Sequence, residues 1–315
     1  MILTQKIIFL PLSVVNHRND SCQLQKSACF TKHFLRIMML YEKDARKVLQ
    51  SGVTSMNQQE RRIYLIRKMQ REMPQYADIP IPEEEMQQRR LLRSLFNLRP
   101  PYPASEDFLN VQDAYLSEVI RERGIVEAAD LPSVKASPRI SLWQGDITTL
   151  HCDAIVNAAN SALLGCWQPC HSCIDNIIHS LSGVQLRIRC NEIMQEQGHE
   201  EPTGRAKITP AYNLPCRYVL HTVGPIIAGP LRRQDCEALA DCYRSCLELA
   251  ASNGVQSIAF CCISTGVFHF PQKKAAEIAT ETALRFLETD TSIRQVIFNV
   301  FTDRDRNIYR NLLEG

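Results

Sequence analysis

Two thiols and an imidazole lie within eight residues of one another: Cys166, His171 and Cys173, in the run Gly165-Cys166-Trp167-Gln168-Pro169-Cys170-His171-Ser172-Cys173. Thiolate and imidazole donors suit Zn²⁺ better than Mg²⁺ or Ca²⁺. Three such ligands leave one tetrahedral position free for water or substrate, whereas Cys170 as a fourth would close the site. The Cys-x4-His-x-Cys spacing is not that of a zinc finger, and a cysteine-rich loop that merely packs is the alternative. Two residues beyond stands Asp175, a candidate acid/base at a helix start. Ahead lie Asn157 and Asn160, whose amides can grip sugar hydroxyls.

Two further stretches carry groups of chemical interest. In Gly145-Asp146-Ile147-Thr148, a carboxylate at a strand end can accept from an exocyclic amine, or simply cap a turn. In Ser264-Thr265-Gly266-Val267-Phe268-His269-Phe270-Pro271, successive backbone N–H groups can wrap a phosphate. This loop has one glycine and no lysine after it, unlike a P-loop.

Strands and helices must hold these groups. After Pro138 the pattern alternates: strands over 139–144, 153–156, 206–209, 218–221, 257–263 and 295–300. Helices are predicted over 174–197, 234–253, 272–288 and 304–313. Repeated βα units imply a largely parallel sheet covered on both faces. Before Pro138, helical periodicity runs from Asn57 to about Gln75, from Pro82 to Leu98 and from Ser105 to Arg123. Pro82 is placed at N1 and Gly124 at the C-cap. Residues 56–135 thus read as a small helical domain whose arginines form a solvated face. Residues 1–55 show no sustained period and read as an uncharacterised extension, disordered or the product of a misassigned start.

The chain has 315 residues and a net charge of +2, which marks it for neither nucleic acid nor a membrane surface. Its apolar run from Ile7 to Val15 is too short to span a bilayer and lacks a cleavage site after it. The thirteen cysteines are an odd, irregularly spaced set, a poor disulfide framework. Cys216, Cys242, Cys246, Cys261 and Cys262 lie in apolar runs and are expected to pack as small hydrophobes. The expected location is the cytoplasm.

Four motifs in order carry a family resemblance: 145–148, 153–160, Tyr218-Val219-Leu220-His221-Thr222-Val223-Gly224-Pro225, and Ser264-Thr265-Gly266-Val267 followed by Phe270-Pro271. Residues 139–315 resemble a macrodomain, the ADP-ribose-binding fold. The glycine-rich run common after the asparagines is replaced by the thiol loop, which is similar to the zinc-dependent macrodomains of microbes; these also carry a helical N-terminal extension.

The resemblance implies a three-layer α/β/α fold with a mixed, largely parallel sheet behind a small helical N-terminal domain. It implies that Asp146 binds the adenine amine, helped by the Ile147 backbone, with Phe301 near the adenine. Ser264, Thr265, Gly266, Val267 and Phe268 would cradle the diphosphate. Asn157 and Asn160 fall in the ADP-ribose motif, Asn160 at the distal ribose. Cys166, His171 and Cys173 would hold one Zn²⁺ per chain, and Asp175 matches an aspartate implicated in hydrolysis. His269 stands where small residues are common. The implied activity is hydrolysis of mono-ADP-ribose from modified proteins. A non-catalytic ADP-ribose reader and an O-acetyl-ADP-ribose deacetylase are the alternatives.

Overall fold

The computed structural model describes residues 56–315, so the expectations for residues 1–55 fall outside it. Three helices open the described chain: α1 (Gln58–Glu72), α2 (Glu85–Leu98) and α3 (Glu106–Arg123). Asn57 and Glu60 cap α1 reciprocally, and Ser105 caps α3 by accepting from Phe108 N–H. Helix α2 starts three residues later than its Pro82 suggests. The buried Gln88 amide donates to the Pro82 carbonyl at 2.7 Å, taking up an acceptor that an earlier helix start would need for its own ladder. Leu65, Ile66, Leu92, Leu95, Phe108 and Leu116 are buried where α1, α2 and α3 meet.

The strands are β1 (Val126–Glu127), β2 (Ser133–Val134), β3 (Ser137–Gln144), β4 (Leu150–His151), β5 (Ala154–Ala159), β6 (Ala206–Pro210), β7 (Tyr218–Val223), β8 (Ser257–Phe260) and β9 (Gln295–Val300). Seven form one sheet in the order β2-β3-β9-β8-β5-β7-β6, while β1 pairs with β4 apart from it. The five inner strands are parallel and both edges antiparallel. Helices α4 (Ile174–Ser182), α5 (Val184–Gln197), α6 (Arg233–Ser252), α7 (Gln272–Thr289) and α8 (Asp303–Glu314) complete a three-layer α/β/α arrangement. Strands such as β5 and β9, buried along nearly their whole length, need that cover on both faces.

One helix predicted from the sequence, 174–197, is two. Gly183 breaks it at φ 100°, and a side chain there would meet the Gln112 amide at 2.6 Å. Helices α2 and α3 pack against α4. Met56–Gly315 thus form one compact unit. Its eleven cysteines are all free thiols, with Cys216, Cys242, Cys246 and Cys261 buried and Cys262 partly so. No helix among the described residues is long and apolar enough to cross a membrane.

Candidate active site

The strand order sets the site. The carboxyl ends of β3, β9, β8 and β5 are neighbours in that sequence, and each leads into one of the motifs singled out above. Ligands of open α/β sheets bind along such an edge. Asp146 and Phe301 come to one corner because Gln144 pairs with Val300 across β3 and β9. The loop 264–270 follows β8 in the middle, and the Asn157 to Cys173 stretch follows β5.

At the first corner, Asp146 caps the short helical turn 147–149: its Oδ1 accepts from Thr148 N–H at 3.0 Å and from the Thr148 hydroxyl at 2.5 Å. Its Oδ2 accepts from Arg123 Nη1 at 2.9 Å, an ion pair from the end of α3. The turn-capping reading therefore holds, and the Asp146 side chain is partly exposed. The Ile147 side chain is buried, whereas Phe301 is 80% exposed.

In the middle loop, Ser264 (φ 64°) and His269 (φ 58°) adopt left-handed backbone, and Phe270 N–H closes the loop on the Ser264 carbonyl at 2.9 Å. Thr265 N–H turns back to the Cys262 carbonyl. The N–H groups of Gly266, Val267 and Phe268 take no partner among the described residues. Three consecutive free donors of this kind suit an anion. The buried Ser264 hydroxyl is likewise without a partner among the described residues. It lies against Gly224, where a Cβ would come within 2.0 Å of Ser264 Oγ.

At the far end, Asp175 lies in the first turn of α4, where unpaired N–H groups favour an anion. It is 5% exposed. Its Oδ1 accepts from Asn157 Nδ2 at 2.8 Å and its Oδ2 from Asn160 Nδ2 at 3.2 Å. Burial pushes this carboxyl up to about 6, against the opposing pull of the Asn157 bond, Arg187 and the Asn160 bond. His179 Nε2 stands 3.6 Å from Asp175 Oδ1, too far for a hydrogen bond, and burial, helped by His221 and Arg187, keeps its ring neutral.

Asn157 is fully buried and Asn160 also donates to the Gly165 carbonyl at 3.1 Å. Both asparagines thus orient Asp175.

The donor atoms of Cys166, His171 and Cys173 all lie within 4.8 Å of one another, with Cys166 Sγ 3.7 Å from His171 Nδ1. Cys170 turns away: its thiol meets Ser94 Oγ at 3.3 Å and the Arg90 carbonyl at 3.4 Å. The converging set is therefore two thiols and one imidazole, and Cys170 is not in it. Burial pushes the Cys173 thiol up to about 12, and the nearby Cys166 and Asp175 add to the shift. A cation between these groups would relieve that crowding of negative charge.

Against that geometry stand the comparisons with known proteins. A family model described as Macro domain matches residues 156–279. A protein-ADP-ribose hydrolase of Treponema medium is 59% identical over 260 residues, covering 82% of this chain and 100% of that protein. One of Staphylococcus aureus is 49% identical over 248 residues, 78% of this chain and 92% of that protein. The chain belongs to the macrodomain family. Among solved structures, the Trypanosoma brucei macrodomain in complex with ADP-ribose is 31% identical with a TM-score of 0.55, covering 70% of this chain and 94% of that one. The Oceanobacillus iheyensis macrodomain with MES bound is 38% identical with a TM-score of 0.51, covering 55% and 88%.

In this macrodomain the thiol loop is held by residues that sequence reasoning passed over. Arg93 of α2 donates through Nη2 to the His171 carbonyl at 2.7 Å and to Asn176 Oδ1 at 2.8 Å. Asn97, one turn on, accepts from Cys170 N–H at 2.9 Å and donates to Ser180 Oγ. Asn176 donates to the Gln168 carbonyl at 2.9 Å. Arg187 of α5 donates to the Leu164 carbonyl at 2.6 Å and to the carbonyls of Phe96, Asn97 and Arg99 at the end of α2, and stacks on Trp167 at 4.2 Å. The i,i+4 pairing of Arg93 and Asn97 on one face of α2 was the one available signal. Gly165 is fixed by space: at φ 77°, a Cβ would meet the His179 ring at 2.7 Å.

Proposed function

We propose that this macrodomain is a hydrolase that removes mono-ADP-ribose from modified proteins, with one Zn²⁺ per chain held by Cys166, His171 and Cys173. The observation that carries the reading is the buried Asp175 carboxylate, gripped by two asparagines and two residues beyond Cys173. The names of the Treponema and Staphylococcus relatives support the activity, and the ADP-ribose in the Trypanosoma structure supports the ligand. The eleven free thiols support a reducing, cytoplasmic setting.

ADP-ribose would lie along the carboxyl edge of the sheet. Asp146, Ile147 and Phe301 take the adenine, and the free N–H groups of Gly266, Val267 and Phe268 take the diphosphate, flanked by Ser264 and Thr265. The distal ribose reaches Asn160, with Asn157 holding Asp175 from below. When bound, zinc supplies Lewis acidity and a fixed point for a ribose hydroxyl or water. Asp175 accepts the proton of the attacking water, and a carboxyl with raised proton affinity suits that work near neutral pH. The bond broken joins C1 of the distal ribose to a side-chain oxygen, through a transition state of oxocarbenium character.

The test compares zinc-loaded wild type, chelator-stripped wild type and Asp175→Asn on a mono-ADP-ribosylated protein, with label release and metal content measured together. Release by loaded wild type alone is expected. Equal release by the stripped protein removes zinc from the reaction. Label retained throughout, with ADP-ribose still bound, leaves a reader module; turnover of O-acetyl-ADP-ribose alone leaves a deacetylase.

A further inference from the structure

We propose that the cleft bounded by α2, α3 and α4 docks an acidic segment of the modified protein, next to the residue that carries ADP-ribose. The proposal rests on the hydrolase reading and adds to it how the protein part of the substrate is recognised. The cleft measures about 570 Å³, and none of the residues assigned to the nucleotide lines it; it meets the adenine corner through Arg123, which pairs with Asp146. On α4, Asp175 and His179 share the face turned to the asparagines. Ser180 and Leu181, further round the same helix, line the cleft. Cys170, from the same short loop as His171 and Cys173, lines it too. Arg93, another lining residue, donates to the His171 carbonyl at 2.7 Å, so the cleft wall and the thiol loop are joined directly.

The chemistry of the walls selects the occupant. Arg89, Arg90, Arg93 and Arg123 line it, and none of the described lining residues is a carboxylate. From outside the lining, Glu85 and Glu122 pair with Arg89, and Asp146 pairs with Arg123. Arg90 and Arg93, one helical turn apart on α2, have no carboxylate partner among the described residues, and the buried Nε–H of Arg93 has no acceptor there. Two uncompensated guanidinium groups call for carboxylates. Between them the floor is apolar, with Phe96, Leu116 and Leu181 buried beneath. Acidic residues alternating with an apolar side chain fit both features. Charge complementarity of this kind sets partner choice and encounter rate.

The test uses a fluorescein-labelled peptide of alternating Glu and Leu, followed by anisotropy with wild type, Arg90→Glu and Arg90→Lys. Arg90 is exposed and spends its side chain on no described partner, so the reversal does not threaten the fold. Arg90→Glu is expected to weaken binding about tenfold and Arg90→Lys to stay within about twofold of wild type. Added salt is expected to weaken the wild-type complex. Equal affinity of Arg90→Glu and wild type would overturn the proposal, as would displacement of the peptide by a tighter-binding oligothymidylate. A second measurement compares KM for an ADP-ribosylated peptide embedded in Glu-rich or in Gln-rich sequence; the wild-type preference for the former should collapse towards parity in Arg90→Glu. Peptide binding without label release by any protein keeps the cleft and removes the hydrolase. Label release with no peptide binding and no preference keeps the hydrolase and removes the cleft.

Discussion

The two ends of the ligand-binding edge are built on opposite plans. At the thiol end, backbone carbonyls and amides from Leu164 to His171 are tied by side chains from three helices, α2, α4 and α5. Asp175 is buried there with both oxygens engaged. At the loop 264–268, three N–H groups have no partner among the described residues and Val267 is 62% exposed. On the proposed reading, one end is organised before a ligand arrives, and the other would be completed by the ligand. That division matches the work: bond breaking needs groups fixed to within fractions of an ångström, whereas an anion needs only accessible donors.

The comparison can be broken at its stiff end first. Asp175→Asn keeps the volume and removes the proton acceptor, and kcat for release of ADP-ribose should fall about a hundred- to ten-thousandfold. A rate within twofold of wild type would take Asp175 out of the chemistry. On the zinc reading, Asn97→Ala should weaken zinc retention about ten- to a hundredfold by freeing the Cys170 backbone, as measured by competition with a chelating dye. Unchanged retention would show that α2 is cover and not brace.

The soft end should yield less. Gly224→Ala drives a methyl into Ser264 Oγ and costs about 1–3 kcal/mol in strain. ADP-ribose affinity by calorimetry should drop about tenfold while zinc content stays whole; loss of zinc instead would show that the two ends are coupled. The smallest effect is expected from Phe301→Ala, since an exposed ring contributes about 1 kcal/mol by stacking and its loss should weaken ADP-ribose about fivefold. A larger drop would mean that the ring is buried on binding.

The positions of the motifs on strand ends and helix starts were legible because each depends on local pattern. An apolar run ends in Asn157, a helical stretch opens at Ile174 just before Asp175, and a β8 strand opens into the 264–270 loop. Donor type was legible too, since thiolate and imidazole chemistry belongs to the residues themselves. What the sequence left open was which thiols converge. Cys170 is closer in the chain to Cys173 than Cys166 is, yet it points at Ser94 and Arg90. Its left-handed backbone (φ 54°) and the Asn97 bond to its N–H send it there. The same holds for the asparagines: beside the sugar contacts read for them, both donate to one buried carboxylate, which spacing did not reveal. The pairing of β5 with β7 sets Asn157 opposite His221, and Asp175 returns from the next helix.

Composition and local periodicity by themselves determined the chemical inventory of this protein and the α/β elements that present it. Only the tertiary structure decided the three-donor set, the buried seat of Asp175 and the brace from α2. The brace and the diversion of Cys170 rest on contacts between residues more than seventy positions apart, such as Asn97 with Cys170 and Arg93 with Asn176, and the seat of Asp175 on contacts 15 and 18 positions apart. Spacing along the chain carries no record of such contacts until the helices pack.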